Sequence, residues 1–109
     1  MKVSELAEKL DMAILTGGKG SSKDVKGMYI CDLLSWAMSH AQREDAWVTV
    51  HTHVNIVAVA VMADISCIVI PEGIEVEEAT LKKAEQEGIE VLSTKKTAFE
   101  IACEAGKFL

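Results

Sequence analysis

Apolar and polar positions follow two different periods along this chain. Near its start, apolar residues recur at Val3, Leu6 and Leu10, which is the spacing of one face of a helix. Later, Cys67–Ile70 is a continuous apolar run rich in β-branched residues, which is typical of a strand buried on both faces of a parallel sheet. Short apolar runs alternate with helical patterns from Met28 to the end, so the sequence predicts parallel strands joined by helices.

The order of the predicted elements defines a fold class. In chain order they are a helix Val3–Leu10, strands Met12–Leu15 and Met28–Cys31, a helix Leu33–Ala41, a strand Trp47–Val50, a helix from Val54 or Asn55 to about Ala63, a strand Cys67–Ile70, a helix from Glu75 to about Glu87, a strand Ile89–Leu92 and a helix Thr94–Lys107. We therefore expect one α/β domain over residues 1–109, with three α/β/α layers and a mostly parallel sheet of four or five strands. Ser4 and Asp32 are candidates to cap the first two long helices.

A glycine-rich run, Thr16-Gly17-Gly18-Lys19-Gly20, separates the first two strands. Its glycines allow backbone N–H groups to point at a bound group, and Lys19 could pair with a phosphate. The run is not a P-loop, because the spacing fails and because a strand, not a helix, follows it. Two interpretations stay open: the loop contacts a ligand, or its glycines only serve turns. If the loop contacts a ligand, Gly17→Val or Gly18→Val should abolish binding and leave the fold intact, because a loop without helix or strand periodicity contributes little to the core.

The Thr16-Gly17-Gly18 core resembles the motif of the DRTGG domain. The segment Gly88–Thr94, followed by Thr97, is similar to the late strand-to-helix turn of the same wider group. The resemblance spans nearly the whole chain and implies a fold like that of the amino-terminal domain of HPr kinase/phosphorylase. Related domains are regulatory modules in some phosphotransacetylases and in pyrophosphatases that carry CBS domains. Here Ile14-Leu15 replaces the Asp-Arg pair of the family name, so a ligand contact through that pair is not carried over.

Polar residues also follow several predicted strands, and ligands of parallel sheets sit beyond strand carboxyl ends. We therefore expect a ligand where the glycine-rich loop meets the strand ends that lead to Asp32 and His53. Backbone donors and positive helix ends there favour a small anion, with an adenine nucleotide as the example that the resemblance suggests. The candidate ligand-binding residues are Thr16, Gly17, Gly18, Lys19, Asp32, Thr52, His53, Asn55 and Thr94. Helix capping alone would also explain Asn55, Ser93 and Thr94.

Catalytic and metal chemistry have little support in the sequence. Ser35 lacks the flanking glycines of a nucleophile elbow, and no triad can be assembled. His51 and His53 share one face of a strand, a spacing that some zinc sites use, but no third ligand follows at matching spacing. We therefore predict no catalytic residues, no metal and no cofactor.

Composition limits the partners. The net charge of −6 disfavours nucleic acid and anionic membrane surfaces, and the apolar stretch Val54–Ala63 is too short to span a bilayer. Three cysteines without a signal peptide indicate the cytoplasm. A hydrophobic content of 50% indicates either an unusually aliphatic core or a contact with another chain. We expect a homodimer, with Met28–Trp36 and Val54–Met62 as the candidate surfaces.

Together these features favour a non-catalytic regulatory module. The resemblance implies that it senses a small anionic ligand or an adenine nucleotide and acts on a partner enzyme. The alternative is a structural dimerisation or adaptor domain without a small-molecule ligand, which the apolar content supports. A small enzyme is the least supported of the three.

Overall fold

The computed structural model covers residues 1–109 and contains all ten predicted elements. They are α1 Val3–Lys9, β1 Ala13–Ile14, β2 Gly27–Ile30, α2 Leu34–His40, β3 Asp45–Val48, α3 Asn55–Met62, β4 Cys67–Ile70, α4 Glu78–Glu87, β5 Glu90–Ser93 and α5 Ala98–Ala105. None of these helices is long and apolar enough to cross a membrane.

The strands form one sheet in the order β1-β5-β4-β3-β2. Strands β2 to β5 are parallel and each lies beside its neighbour in sequence. Strand β1 is antiparallel to β5, with Ala13 opposite Ser93 and Ile14 opposite Leu92. The prediction of a mostly parallel sheet is confirmed. Because β1 is antiparallel, the segment that follows it runs towards the amino end of β5, where Thr16 contacts Glu90.

Helices cover both faces of the sheet, which confirms the three-layer architecture. Every residue of β3 and β4 is buried, and successive side chains pack on opposite faces of the sheet. In β3, Ala46 and Val48 pack with α1 and α5, whereas Trp47 packs with α2, α3 and α4. The sheet thus has one apolar cluster on each face. The side chains at the centre of each cluster are completely buried, for example Leu6 and Ile101 on one face and Ile56 on the other.

The loops that leave β4 and β5 diverge. Since β4 leads into α4 and β5 leads into α5, the chain passes to opposite faces of the sheet after these two neighbouring strands. This divergence is a topological switch point, the place where open α/β sheets form a crevice beyond their carboxyl ends. Strands β2, β3 and β4 all lead into helices on the same face, so the sheet has no such opening between them.

Several helix ends differ from the prediction. The residue before α2 is Leu33, which makes no side-chain cap, and Asp32 bonds to the turn after β3 instead of capping the helix. Helix α1 begins at Val3, two residues earlier than a Ser4 cap requires. Helix α5 is capped by Thr97, whose hydroxyl accepts the Glu100 N–H at 3.2 Å, so neither Ser93 nor Thr94 has this role.

Candidate functional site

The glycine-rich loop surrounds the carboxylate of Glu90, the first residue of β5. Glu90 is 1% exposed. One of its oxygens accepts the Thr16 hydroxyl at 2.6 Å and the Gly18 N–H at 3.0 Å, and the other accepts the Gly20 N–H at 2.7 Å. Burying a carboxylate is tolerable only when donors replace its water shell, and these three groups supply them. The loop therefore does bind an anion, but the anion belongs to the protein.

Backbone geometry explains the glycines at two of these positions. Gly18 has a φ of 93°, in a region that side chains rarely adopt. A Cβ at Gly20 would overlap the carbonyl oxygen of Gly88 and approach a Glu90 oxygen to 3.2 Å. The premise that this loop contributes little to the fold is therefore wrong, and Gly18→Val is now expected to destabilise the protein.

The rest of the loop is bound to the start of α1. Its carbonyl groups at Ser21 and Lys23 accept the N–H groups of Ser4 and Val3, at 3.0 and 2.9 Å. These helical N–H groups have no partner within the helix, so the loop satisfies them. The length of the segment between β1 and β2 thus has a structural explanation.

The predicted site residues separate into two groups at opposite edges of the sheet. Thr16, Gly17, Gly18 and Lys19 follow β1 and lie at the amino ends of the parallel strands, because β1 is antiparallel to β5. Asp32, Thr52, His53, Asn55 and Thr94 follow β2, β3 and β5 and lie at the carboxyl ends. The expectation that the glycine-rich loop meets the strand ends near Asp32 and His53 is therefore wrong.

Side chains at the carboxyl ends of β2 and β3 bond mainly to neighbouring turns. The Asp32 carboxylate accepts the Thr49 hydroxyl and the Val50 N–H, both at 2.9 Å. The His51 ring nitrogen lies 2.5 Å from the Asp32 carbonyl oxygen. His53 accepts the Asn55 N–H at 3.2 Å. These contacts order the turns after both strands.

Thr52 contributes through its backbone, because its carbonyl oxygen accepts the Thr80 hydroxyl at 2.6 Å. This bond joins the turn after β3 to α4. No group of three or more His, Cys, Asp or Glu side chains is placed to hold a metal ion. Of these four residues, the Asp32 and His53 side chains are bonded within the protein, whereas the Thr52 hydroxyl and the Asn55 side-chain amide form no hydrogen bond to another protein group.

A cleft of about 500 Å³ lies at the switch point between β4 and β5. Its lining residues are Asp11, Ala13, Gly73, Ser93, Thr94, Lys95 and Lys96. Hydrogen bonds join the two diverging loops at its base, from Gly73 N–H to the Thr94 carbonyl and from Glu72 N–H to the Lys96 carbonyl, both at 2.9 Å. Of the candidate ligand-binding residues, only Thr94 lines it.

Asp11 and Lys95 are two of the cleft residues that the sequence prediction missed. Asp11 follows α1 and reaches the cleft because antiparallel β1 begins at the carboxyl end of β5. Lys95 follows Thr94 directly and forms no ion pair, in contrast to Lys96, whose ammonium lies 2.9 Å from a Glu104 oxygen. The sequence could have indicated Lys95, because it follows the end of a strand. It could not have indicated Asp11, because the direction of β1 was unknown.

A second cleft, of about 440 Å³, lies beside the glycine-rich loop at the amino edge of the sheet. It is lined by Gly17, Lys19, Lys82, Glu85, Gln86 and Glu90. Two lysines here face two carboxylates, and Glu90 is already bonded to the loop. The formal charges of this lining sum to zero and it contains no hydroxyl side chain, whereas the cleft at the switch point has Ser93 and Thr94.

Cys67 lies opposite Glu90 in the β4–β5 pair and is completely buried. Burial, with a smaller contribution from the Glu90 carboxylate, raises the pKa of the Cys67 thiol to about 12. The thiol therefore stays protonated at neutral pH and is not an activated nucleophile.

These features define a small three-layer α/β domain. A glycine-rich loop binds Glu90 at the amino ends of the parallel strands, and a polar cleft lies at their carboxyl ends. The model of the DRTGG domain family matches residues 5–107, so the chain belongs to the DRTGG domain family. No curated protein is significantly similar to it in sequence.

A solved structure with a similar fold contains the CBS and DRTGG domains of the regulatory region of a Clostridium perfringens pyrophosphatase, in complex with the activator diadenosine tetraphosphate. It is 12% identical to this chain, with a TM-score of 0.74, and the match covers 94% of this chain and 44% of that one. This likeness shows a common fold, and the chain spans less than half of the length of that relative.

Proposed function

We propose that this domain is a non-catalytic regulatory module that senses a small phosphate-bearing ligand and acts on a partner enzyme. Membership of the DRTGG family and the likeness to a domain of a regulatory region support the proposal. The observation that carries it within this chain is the polar cleft at the switch point, which has an unpaired cation in Lys95 and lies where α/β sheets bind ligands.

Ligand sensing is tested by thermal unfolding of the purified domain with inorganic phosphate, sugar phosphates, adenine nucleotides and acetyl phosphate. A ligand that binds only the folded state stabilises it by about 2.7 kcal/mol at a hundredfold its Kd. We expect at least one phosphate compound to raise the Tm in a saturable manner. Sulfate at matched ionic strength is the control for screening. No saturable rise with any compound at millimolar concentration would contradict the ligand-sensing part of the proposal.

A second candidate function, dimerisation without a ligand, is favoured by exposed apolar side chains near the edge strand β2. Ile30, Leu33 and Trp36 are 45%, 62% and 51% exposed and lie within seven residues of one another. Strand β2 has no neighbour on its outer side and contains no charge or proline to block pairing. We propose that a second copy of the chain covers this surface about a two-fold axis.

Light scattering at increasing protein concentration tests the dimer. We expect a dimer mass at high micromolar concentration, which Trp36→Ser should shift towards the monomer. Met62→Ser is the matched control, because Met62 is 73% exposed on α3, in the other candidate surface Val54–Met62. A monomer mass for the unchanged protein would contradict dimerisation, and loss of the dimer only in Met62→Ser would move the interface to α3.

A further inference from the structure

The switch-point cleft has an arrangement of charges that indicates a class of ligand. Lys96 is held by the Leu10 carbonyl oxygen at 2.8 Å and by Glu104, so its charge is already neutralised. Lys95 is exposed and forms no ion pair, which leaves one uncompensated ammonium at the cleft. The only carboxylate that lines the cleft is Asp11. An anionic group would therefore lie on the Lys95 side, and hydroxyl or amino donors on the Asp11 side.

Thr94 supplies a buried polar atom to the same cleft. It is 8% exposed, and its hydroxyl oxygen accepts the Lys96 N–H at 3.2 Å. The hydroxyl proton of Thr94 has no acceptor among the protein groups, so it is available to an acceptor in the cleft. Ser93 adds a second, half-buried hydroxyl. Hydroxyl donors beside an ammonium are suited to phosphate oxygens.

The size and lining of the cleft limit the rest of the ligand. A volume of about 500 Å³ is within the range of small-molecule sites and exceeds what phosphate alone requires. Ala13 is the one apolar side chain in the lining, and no aromatic ring is present on which a base could stack. A sugar, by contrast, presents hydroxyl groups that a carboxylate such as Asp11 accepts.

We propose that the switch-point cleft binds a sugar phosphate or the sugar-phosphate part of a nucleotide. The phosphate lies against Lys95 and the Thr94 hydroxyl, and the sugar hydroxyls donate to Asp11. The base of a nucleotide adds little to the affinity, because no residue in the lining recognises it. This inference rests on the proposed ligand-sensing function and names its site and ligand class.

Calorimetric titrations with inorganic phosphate, ribose 5-phosphate and AMP test it. We expect ribose 5-phosphate and AMP to bind within about threefold of each other, and phosphate to bind more weakly. Lys95→Gln should weaken all three roughly tenfold, since it removes a charge-assisted contact. Asp11→Asn should weaken only the two sugar phosphates. Lys19→Gln, in the cleft beside the glycine-rich loop, is the matched control and should leave all three affinities unchanged.

The outcomes separate this inference from the proposed function. If binding is lost in Lys19→Gln and kept in Lys95→Gln, the ligand does not bind in the switch-point cleft, although the domain still senses a ligand. Binding of AMP without ribose 5-phosphate would overturn the ligand class. Absence of binding by all three compounds, together with saturable stabilisation by another phosphate compound, would overturn this inference and keep the proposed function. Lys95 and Asp11 are both exposed, so neither variant should affect folding.

Discussion

Replacement of Glu90 is the most informative perturbation of the fold. Glu90→Gln keeps the volume of the side chain but converts one carboxylate oxygen into an NH₂ group. If the remaining oxygen keeps the bonds to Thr16 and Gly18, the NH₂ group faces the Gly20 N–H, which is itself a donor. Two donors then oppose each other in a buried position.

The expected loss follows from the hydrogen bonds involved. Bonds to charged groups contribute about 1.5–3 kcal/mol each, and a buried donor without a partner costs about 1–3 kcal/mol. Glu90→Gln loses one bond and weakens two, so we expect a decrease of about 2–4 kcal/mol in the free energy of unfolding. Domains of this kind have a total of about 5–15 kcal/mol, so the change is large.

Urea denaturation measures this loss. Trp47 is completely buried and donates its indole N–H to the Cys31 carbonyl at 2.9 Å, so its fluorescence reports unfolding in a Trp36→Phe background. Glu85→Gln removes a neighbouring exposed carboxylate and should change stability by less than about 0.5 kcal/mol. If Glu90→Gln were no less stable than Glu85→Gln, the loop would not depend on the Glu90 carboxylate.

Three further predictions follow from local geometry. Gly18→Ala should lower the free energy of unfolding by about 1–2 kcal/mol, measured by urea denaturation, because its φ of 93° disfavours a side chain. Cys103 is exposed and should react with a thiol reagent at pH 8, whereas Cys67 in the folded protein should not. A pKa of about 12 leaves about 10⁻⁴ of the Cys67 side chain as thiolate at that pH, and burial also excludes the reagent. Modification of Cys67 without unfolding would contradict this. Thr97→Ala should cost about 1 kcal/mol at neutral pH, and less at pH 3. The bonds to Thr97 lower the pKa of Glu100 below its ordinary value of 4.5. The stability that these bonds contribute is therefore present above pH 4.5 and is lost at lower pH as Glu100 becomes protonated. An equal cost of Thr97→Ala at both pH values would refute this pH dependence.

The elements and layers were predictable because their signals are local. Apolar patterns, acidic helix starts and glycine stops identified all five helices and five strands, and right-handed crossovers imply that β2 to β5 are parallel, whereas the order of the strands was left open. The direction of β1 was not predictable, since no crossover helix joins it to β2. Its two residues, Ala13 and Ile14, also carry no pattern that depends on strand direction.

The role of the glycine-rich loop required a contact between distant parts of the chain. Glu90 is 74 residues from Thr16, and no local pattern pairs them. A signal did exist, because Glu90 interrupts an apolar strand and a buried carboxylate requires donors. The polar strand end at Ser93 and Thr94 was predicted, whereas Asp11 entered the cleft only through the direction of β1.

Amide chemical shifts during a titration with ribose 5-phosphate distinguish the two possible positions of the ligand site. In our proposal the glycine-rich loop holds the protein's own Glu90, and the ligand binds at the switch point instead. We predict saturable shifts at Gly73, Thr94 and Lys95, with Gly18 and Gly20 unchanged. Shifts centred on Gly18 and Gly20, with none at Lys95, would contradict the account and return the ligand site to the glycine-rich loop.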